Sequence, residues 1–295
     1  MTRKTDILLT ALAPTIWGST YLVTTEFLPA GFPLTVAMLR ALPAGILLLL
    51  VVRQLPKGTW WFKIILLGAL NFTIFWWLLF EAAYRLPGGV AATVGAIQPL
   101  FVIFLAHIIL GSTIRALSII AALTGIIGVA LLILAPNAAL DPVGLGAGVA
   151  GALSMACGTV LSRHWQPPAS PLTFTAWQLT AGGILLLPAA MWLEPPLPPL
   201  DTANILGLLY LGLIGAALTY LLWFKGLARI EPSIIAPLGF LSPVTAVLLG
   251  WFTLNQSLTP VQITGMIIVL CSVWLSQHAA HIRIKTPVNP VQTQS

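Results

Sequence analysis

Long apolar runs, broken by short clusters of Pro, Gly, Asn and charge, set the rhythm of this chain. The runs fall near residues 7–27, 32–52, 62–83, 88–110, 114–135, 143–163, 171–193, 203–225, 232–253 and 260–279. Each is close to the roughly 20 residues that a helix needs to cross the hydrocarbon of a bilayer. Stretches such as Ile46 to Val52 are apolar without interruption. A membrane β-strand would alternate apolar and polar residues over about ten positions, so the pattern predicts helices. The expected fold is an all-α integral membrane protein of ten transmembrane helices. The segment from His281 to Ser295 breaks the rhythm: it is polar, carries Pro287 and Pro290, and predicts a disordered cytoplasmic tail.

The runs also repeat. Pro33-Leu34-Thr35 returns as Pro171-Leu172-Thr173, and the Gly45–Leu49 run returns as Gly183–Leu187, both at a spacing of 138 residues. Further along the spacing is 144, pairing Arg85 with Arg229, Gly95 with Gly239, Pro99 with Pro243 and Val129 with Val273. Leu-rich runs coincide often by chance; Pro, Gly and Arg at fixed spacing do so less readily. The repeat divides the chain into residues 1–137 and 138–280, five spans each, ahead of the 281–295 tail. An odd number of crossings turns the second half upside down, giving two inverted five-helix repeats. Inverted repeats build secondary transporters, whose halves rock about a site near the midplane.

Composition agrees with a lipid solvent. Hydrophobic residues make up 58% of the chain and charged residues 7%, where a soluble domain carries about 25% charged. Ten spans and short connections consume the 295 residues and leave no room for a soluble catalytic domain. A net charge of +6 raises the question of nucleic acid, but the basic residues sit singly between apolar runs and form no patch. Their placement carries a different message. With the N-terminus in the cytoplasm, eleven of the thirteen basic residues fall on that side: Arg3, Lys4, Arg53, Lys57, Lys63, Arg115, Arg163, Lys225, Arg229, Arg283 and Lys285. Arg85 faces the other side and Arg40 lies within a span, while Glu26, Glu81, Asp141, Glu194 and Asp201 lean outward. Basic loops resist translocation, so both termini are expected in the cytoplasm and the chain in the inner membrane. The start Met1-Thr2-Arg3-Lys4 resembles that of a signal peptide, but no small-residue cleavage site follows in a polar context, and the first span is expected to be retained. Cys157 and Cys271 lie in separate apolar segments and read as small packing residues rather than a disulfide.

Few residues inside the spans carry chemistry. A charge near the bilayer centre costs about 3 kcal/mol or more, so Arg40 must face a partner or water. It either lines a cavity and meets a carbonyl or carboxylate of a solute, or it snorkels and braces a neighbouring helix; the two readings weigh equally. Its repeat mate is Gln178. Glu26, Glu81 and His107 are the candidates for proton coupling; hydrated loop acids and a hydrogen-bonded bundle histidine are the plainer alternatives. Trp17, Tyr21, Trp76, Trp77, Trp177, Tyr220 and Trp223, with Asn71, Gln98 and Gln178, offer an aromatic cage with a few polar contacts for a flat, weakly polar solute. Any one of these aromatics is as readily a lipid-facing or helix-packing residue. Trp60 and Trp61, beside Lys57 and Lys63, read as an interfacial anchor. Pro99 and Pro243 occupy matched places and read either as paired hinges or as static bends. No Walker-type loop points to ATP, no His-Cys-Glu cluster has metal spacing, and no cofactor is expected.

Several motifs carry a family resemblance. They are Trp17-Gly18-Ser19-Thr20, Met38-Leu39-Arg40, the Leu86–Ala92 run Leu-Pro-Gly-Gly-Val-Ala-Ala, Gln98-Pro99-Leu100, Leu241-Ser242-Pro243-Val244 and Gln262-Ile263-Thr264-Gly265. In order, spacing and duplication they resemble the EamA family of the drug/metabolite transporter superfamily, over roughly residues 7 to 279. Within it the chain is most similar to the PecM-type branch, linked to export of the blue pigment indigoidine. A Glu that usually follows the fourth and ninth spans is replaced by Ser112 and Gln256. The resemblance implies a carrier that admits a small organic metabolite between helices one to four and six to nine. The fifth and tenth helices then lie at the periphery, available to pair two copies. A passive channel, an integral-membrane enzyme and a non-transporting regulator are the rival readings. The orientation is directly testable: a reporter fused after Ser295 is expected to behave as cytoplasmic, and periplasmic activity there would defeat the ten-span count.

Overall fold

The computed structural model describes residues 3–86, 93–133, 141–255 and 257–279, apart from the side chains of Tyr21, Ala83, Tyr84 and Ala279. The expectations for residues 87–92, Gln256 and the tail lie outside the described residues. Among the described residues the regular structure is all helical, and ten helices are long and apolar enough to cross a membrane: α1 (Arg3–Phe27), α2 (Pro33–Val52), α3 (Trp60–Ala82), α4 (Thr93–Leu110), α5 (Ala116–Ile133), α6 (Pro142–Trp165), α7 (Pro171–Leu193), α8 (Thr202–Leu227), α9 (Pro232–Thr253) and α10 (Pro260–His278). Five of them start where a first-turn Pro or a capping side chain favours it. Pro occupies the first turn of α2, α6, α7 and α9, where its missing N–H costs nothing. Asp141, Ser170 and Asp201 accept backbone N–H groups at the starts of α6, α7 and α8. Leu8, Leu50, Phe62, Ile108, Trp192 and Phe252 lie on the outside, each more than 60% exposed. In water such a surface would aggregate; against lipid tails it is satisfied.

Helix pairing follows the duplication. α2 packs on α7 and α5 on α10. Away from these two pairs, α1 packs on α9 as α6 does on α4, α3 on α6 as α8 does on α1, and α2 on α8 as α7 does on α3. Replacing each helix by its counterpart five places along leaves this list unchanged, as two inverted repeats require. Small residues permit the closest approaches. A Cβ at Gly183 would come within 2.6 Å of the Leu42 side chain, and its repeat mate Gly45 meets the backbone of Thr180. On the other pair, a Cβ at Gly128 would lie 2.8 Å from Val269 N, and one at Gly265 lies 2.6 Å from Leu132 N.

The helices are not uniform. α3 carries a π-helical turn at Ala69–Thr73, and α8 a longer one at Tyr210–Leu218. At the 144-residue spacing these segments coincide. α9 tightens to 3-10 geometry at Ala236–Phe240, and α4 does the same where Ala96 N and Ile97 N bond back three residues to Thr93 O and Val94 O. Pro99 and Pro243 follow these tightened turns, each three residues past the matched pair Ala96 and Phe240. A residue without an N–H cannot continue the i→i−4 ladder, so the irregularity falls beside each of the two matched prolines.

The packing predicts an unequal pair of substitutions. Gly183→Leu forces overpacking between α7 and α2 and is expected to destabilise the purified protein by about 1–3 kcal/mol. Gly146→Leu, where an added Cβ meets nothing within 4 Å, is expected to leave the thermal midpoint unchanged. Equal midpoints for the two variants would contradict the α2–α7 contact.

Candidate functional site

Helices α1 to α4, α6, α8 and α9 surround a cavity of about 630 Å³, within the roughly 300–1,000 Å³ of small-molecule sites. The connection Leu28–Phe32 and Pro33 form its rim, so it opens at the end of the bundle opposite Arg3. Repeat mates face each other in the wall: Trp17 and Met155, Trp76 and Tyr220, Gly95 and Gly239, Ala96 and Phe240, Pro99 and Pro243 all line it. Thr20, Thr24, Thr25, Ser242 and Gln98 add hydroxyl and amide groups. Arg40 is the one charged side chain among the described residues that line it.

The Arg40 guanidinium meets two neighbouring helices and the cavity. Nη2 donates to Gly215 O at 2.6 Å, and the plane lies over the Trp76 ring, 5.2 Å from its centroid. The third neighbour is the cavity itself. Gly215 sits inside the π-helical turn of α8, and its carbonyl also accepts from Thr219 Oγ1 at 2.8 Å. A π-helical turn changes the backbone pairing and here presents a carbonyl sideways to a neighbouring helix. The matching turn of α3 does the same: Leu70 O accepts from Ser154 Oγ of α6 at 2.9 Å. The resulting site is apolar and aromatic with a single positive charge, suited to an anionic or carbonyl group on a flat solute.

The opposite end of the bundle is shut. Trp17 packs on Tyr220 and Trp223 at ring separations of 5.1 and 5.2 Å, Tyr220 on Phe72 at 4.6 Å, and Phe174 on Phe224 at 5.4 Å. Leu227, Ile230, Ile234 and Ile235 complete this buried cluster. Over it lies a polar layer. Arg229 pairs with Asp6 at 2.8 Å and Arg115 with Glu231 at 3.2 Å, while Arg163 donates to the carbonyls of Leu227 and Ala228 at the end of α8. Half-exposed ion pairs of this kind contribute about 0–1 kcal/mol each, so the aromatic plug does most of the closing and the ion pairs are easily parted.

The sequence candidates divide accordingly. Trp17, Trp76, Arg40, Gln98, Tyr220, Pro99 and Pro243 stand on the cavity wall. Trp77 does not: it is 42% exposed on the outer surface, because consecutive helical residues point about 100° apart. Trp223 is buried behind Trp17, and Trp177 donates to Gln54 O at 2.7 Å near the closed end. Asn71 and Gln178 are wholly buried and bonded to each other at 2.7 Å. The Tyr21 side chain lies outside the described residues. Glu26 is exposed beside Thr25, and Glu81 pairs with Arg85 one turn along its helix. His107 is not deep in its span; it is exposed near the end of α4, with Nδ1 2.8 Å from Ser112 O.

Two features had no sequence signal. Phe75, Phe80 and Met155 line the cavity but read in the sequence as ordinary apolar residues. Glu194, read as an outward loop acid, reaches across to the start of α2 and accepts from Leu34 N, Thr35 N and Thr35 Oγ1 at 2.6 to 2.7 Å. A carboxylate there satisfies unpaired N–H groups and opposes the helix dipole.

Comparison with known proteins agrees with this picture. The profile of the EamA-like transporter family matches the chain twice, over residues 4–134 and 142–277. The chain is 46% identical over 283 residues to Protein PecM of Dickeya dadantii, covering 95% of each. It is 26% identical over 297 residues to a probable amino-acid metabolite efflux pump of Salmonella typhimurium, covering 96% of this chain and 98% of that one. A solved crystal structure superposes with a TM-score of 0.81 at 19% identity, over 95% of this chain and 100% of the other, which is a likeness of fold.

The Glu194 bridge makes a stability prediction. Glu194→Ala removes three hydrogen bonds to one carboxylate and is expected to cost about 1.5–3 kcal/mol, read as a lower thermal midpoint. Glu26→Ala, on an exposed acid, is expected to stay within about 0.5 kcal/mol. A Glu194→Ala midpoint equal to that of Glu26→Ala would contradict the bridge.

Proposed function

Because the chain belongs to the EamA-like transporter family, in the PecM-like branch of the drug/metabolite transporter superfamily, we propose that it exports a small aromatic or amino-acid-like metabolite by alternating access. The multi-pass membrane exporter is the family's common ground; the solute and the cycle are the proposal. The observation that carries it is the pairing of one open vestibule, with Arg40 as its single described charge, and one end closed by an aromatic plug. A carrier needs a site exposed to one face at a time, and a duplicated bundle open at one end only has that form. The plug also argues against a permanently open pore. Aromatic walls favour a planar solute, and Arg40 over Trp76 favours one with an acidic or carbonyl group. The relative named as an amino-acid metabolite efflux pump fits the same solute class.

In this reading the closed end, which carries the basic loops, faces the cytoplasm, the vestibule faces outward across the inner membrane, and the conformation is that of release. The driving force in this reading is the proton gradient or downhill efflux. None of Glu26, Glu81 and His107 lies on the cavity wall among the described residues, which favours downhill efflux. Pairing of two copies through the outer faces of α5 and α10, where Ile120, Ile127 and Ile267 are exposed, belongs to the same proposal.

The test is metabolite profiling of the medium from cells with and without the protein, repeated with Arg40→Gln. Wild type is expected to enrich at least one aromatic or amino-acid-like compound. Arg40→Gln removes a charge-assisted contact of about 1.5–3 kcal/mol and is expected to lower that efflux about tenfold or more while expression and thermal midpoint stay near normal. Loss of folding instead would assign Arg40 to bracing, and no difference in the medium with wild type would reject export.

A further inference from the structure

The closed end contains the collapsed counterpart of the vestibule. A small cavity of about 140 Å³ opens there, lined in part by Ser162, Pro167 and Phe224. At the two repeat spacings these residues are the mates of Thr24, Pro29 and Phe80, all of which line the large vestibule. The duplication therefore places one wide and one narrow version of the same cavity at opposite ends of the bundle.

The same spacings pair the polar contacts. Arg40 of α2 bonds Gly215 of α8. Their mates, Gln178 of α7 and Asn71 of α3, bond each other: Asn71 Nδ2 donates to Gln178 Oε1 at 2.7 Å and stands 3.3 Å from Ser162 Oγ of the small cavity. Asn71 and Gln178 are both 0% exposed. Each nonetheless keeps a buried atom without a partner, Asn71 Oδ1 as an acceptor and Gln178 Nε2 as a donor. A buried amide that leaves one donor and one acceptor unused is costly unless something else uses them. The described residues that line the small cavity carry no charge, and Arg163, beside it, is engaged by the Leu227 and Ala228 carbonyls.

We infer that Asn71, Gln178 and Ser162 form a second solute subsite, reached from the closed end when it opens, that binds a neutral group offering both a donor and an acceptor, such as a carboxamide or lactam. This rests on the alternating-access reading above. The solute is then gripped by unlike chemistry at the two ends. Cation and aromatic face meet it in the vestibule, and an amide pair meets it on entry. The duplicated scaffold supplies both sites, and divergence at two positions, Arg40 against Gln178 and Gly215 against Asn71, makes them different.

Thr159 supplies the reporter. It is 0% exposed and lies on the face of α6 between Met155 of the vestibule and Ser162 of the small cavity. The full chain with Cys157→Ala, Cys271→Ala and Thr159→Cys is placed in sealed vesicles and treated with an impermeant maleimide at the Arg3 end. Labelling is expected, because that end opens during the cycle. Benzamide, a neutral donor–acceptor probe, is expected to slow the labelling several-fold, benzoate is not, and the benzamide effect is expected to vanish in Gln178→Met. Equal protection by benzoate, no protection by benzamide, or protection that survives Gln178→Met would overturn the subsite and leave alternating access standing. Absence of any labelling from that end would overturn alternating access itself. Should Gln178→Met fail to fold, Asn71→Ala removes the acceptor and decides the same question.

Discussion

A guanidinium seven residues into a membrane helix governs much of this structure. Against lipid its charge would cost about 3 kcal/mol or more, and the fold answers with three partners that few helices can offer. One is the Gly215 carbonyl, presented sideways by the π-helical turn of α8. Another is the Trp76 face. The last is the open space of the vestibule. Each answer constrains something further. The π-helical turn fixes how α8 meets α2, Trp76 fixes the rotation of α3, and the open space requires the helices around it to stand apart at one end. Closing the other end then falls to the aromatic cluster around Tyr220, Trp223 and Phe224.

In the proposed cycle the inverted duplication makes this local solution available at both ends. The main helix contacts recur under exchange of the halves, so in the proposed cycle the packing that closes one end has a counterpart at the other. A bundle with two such packings close in energy can shift between them when a solute or a few exposed ion pairs bias the balance. The chain spends its rigid contacts elsewhere. The glycine-mediated α2–α7 and α5–α10 pairs and the Glu194 bridge to α2 tie helices together. Irregular turns beside Pro99 and Pro243 fall on α4 and α9, two of the helices that bound the cavity.

Much of this was legible in the sequence, and the reasons are physical. Span length follows from bilayer thickness, so apolar runs located the ten helices to within a few residues. Repeated Pro, Gly and Arg located the duplication, because such residues serve backbone geometry and charge rather than bulk apolarity. Arg40 announced itself by cost. What the sequence concealed depends on rotation about helix axes. Trp76 and Trp77 are neighbours of the same type, yet one faces the cavity and the other the outer surface. Asn71 and Gln178 read as cage residues because polar groups in spans point inward, and they do point inward, but toward each other in the closed half. The π-helical turns left no trace in composition, since they arise from how a helix is accommodated among its neighbours.

The central claim is that the two ends open in turn about one duplicated site. The most direct measurement uses two pairs of spin labels at repeat-related positions, Ala30 with Ser257 at the vestibule end and Pro168 with Thr113 at the other, with distances read by double electron–electron resonance in bilayers. The account predicts two populations in which a long distance at one pair accompanies a short distance at the other, so that conditions lengthening one shorten its mate. Two fixed distances, or two that lengthen together, would contradict it.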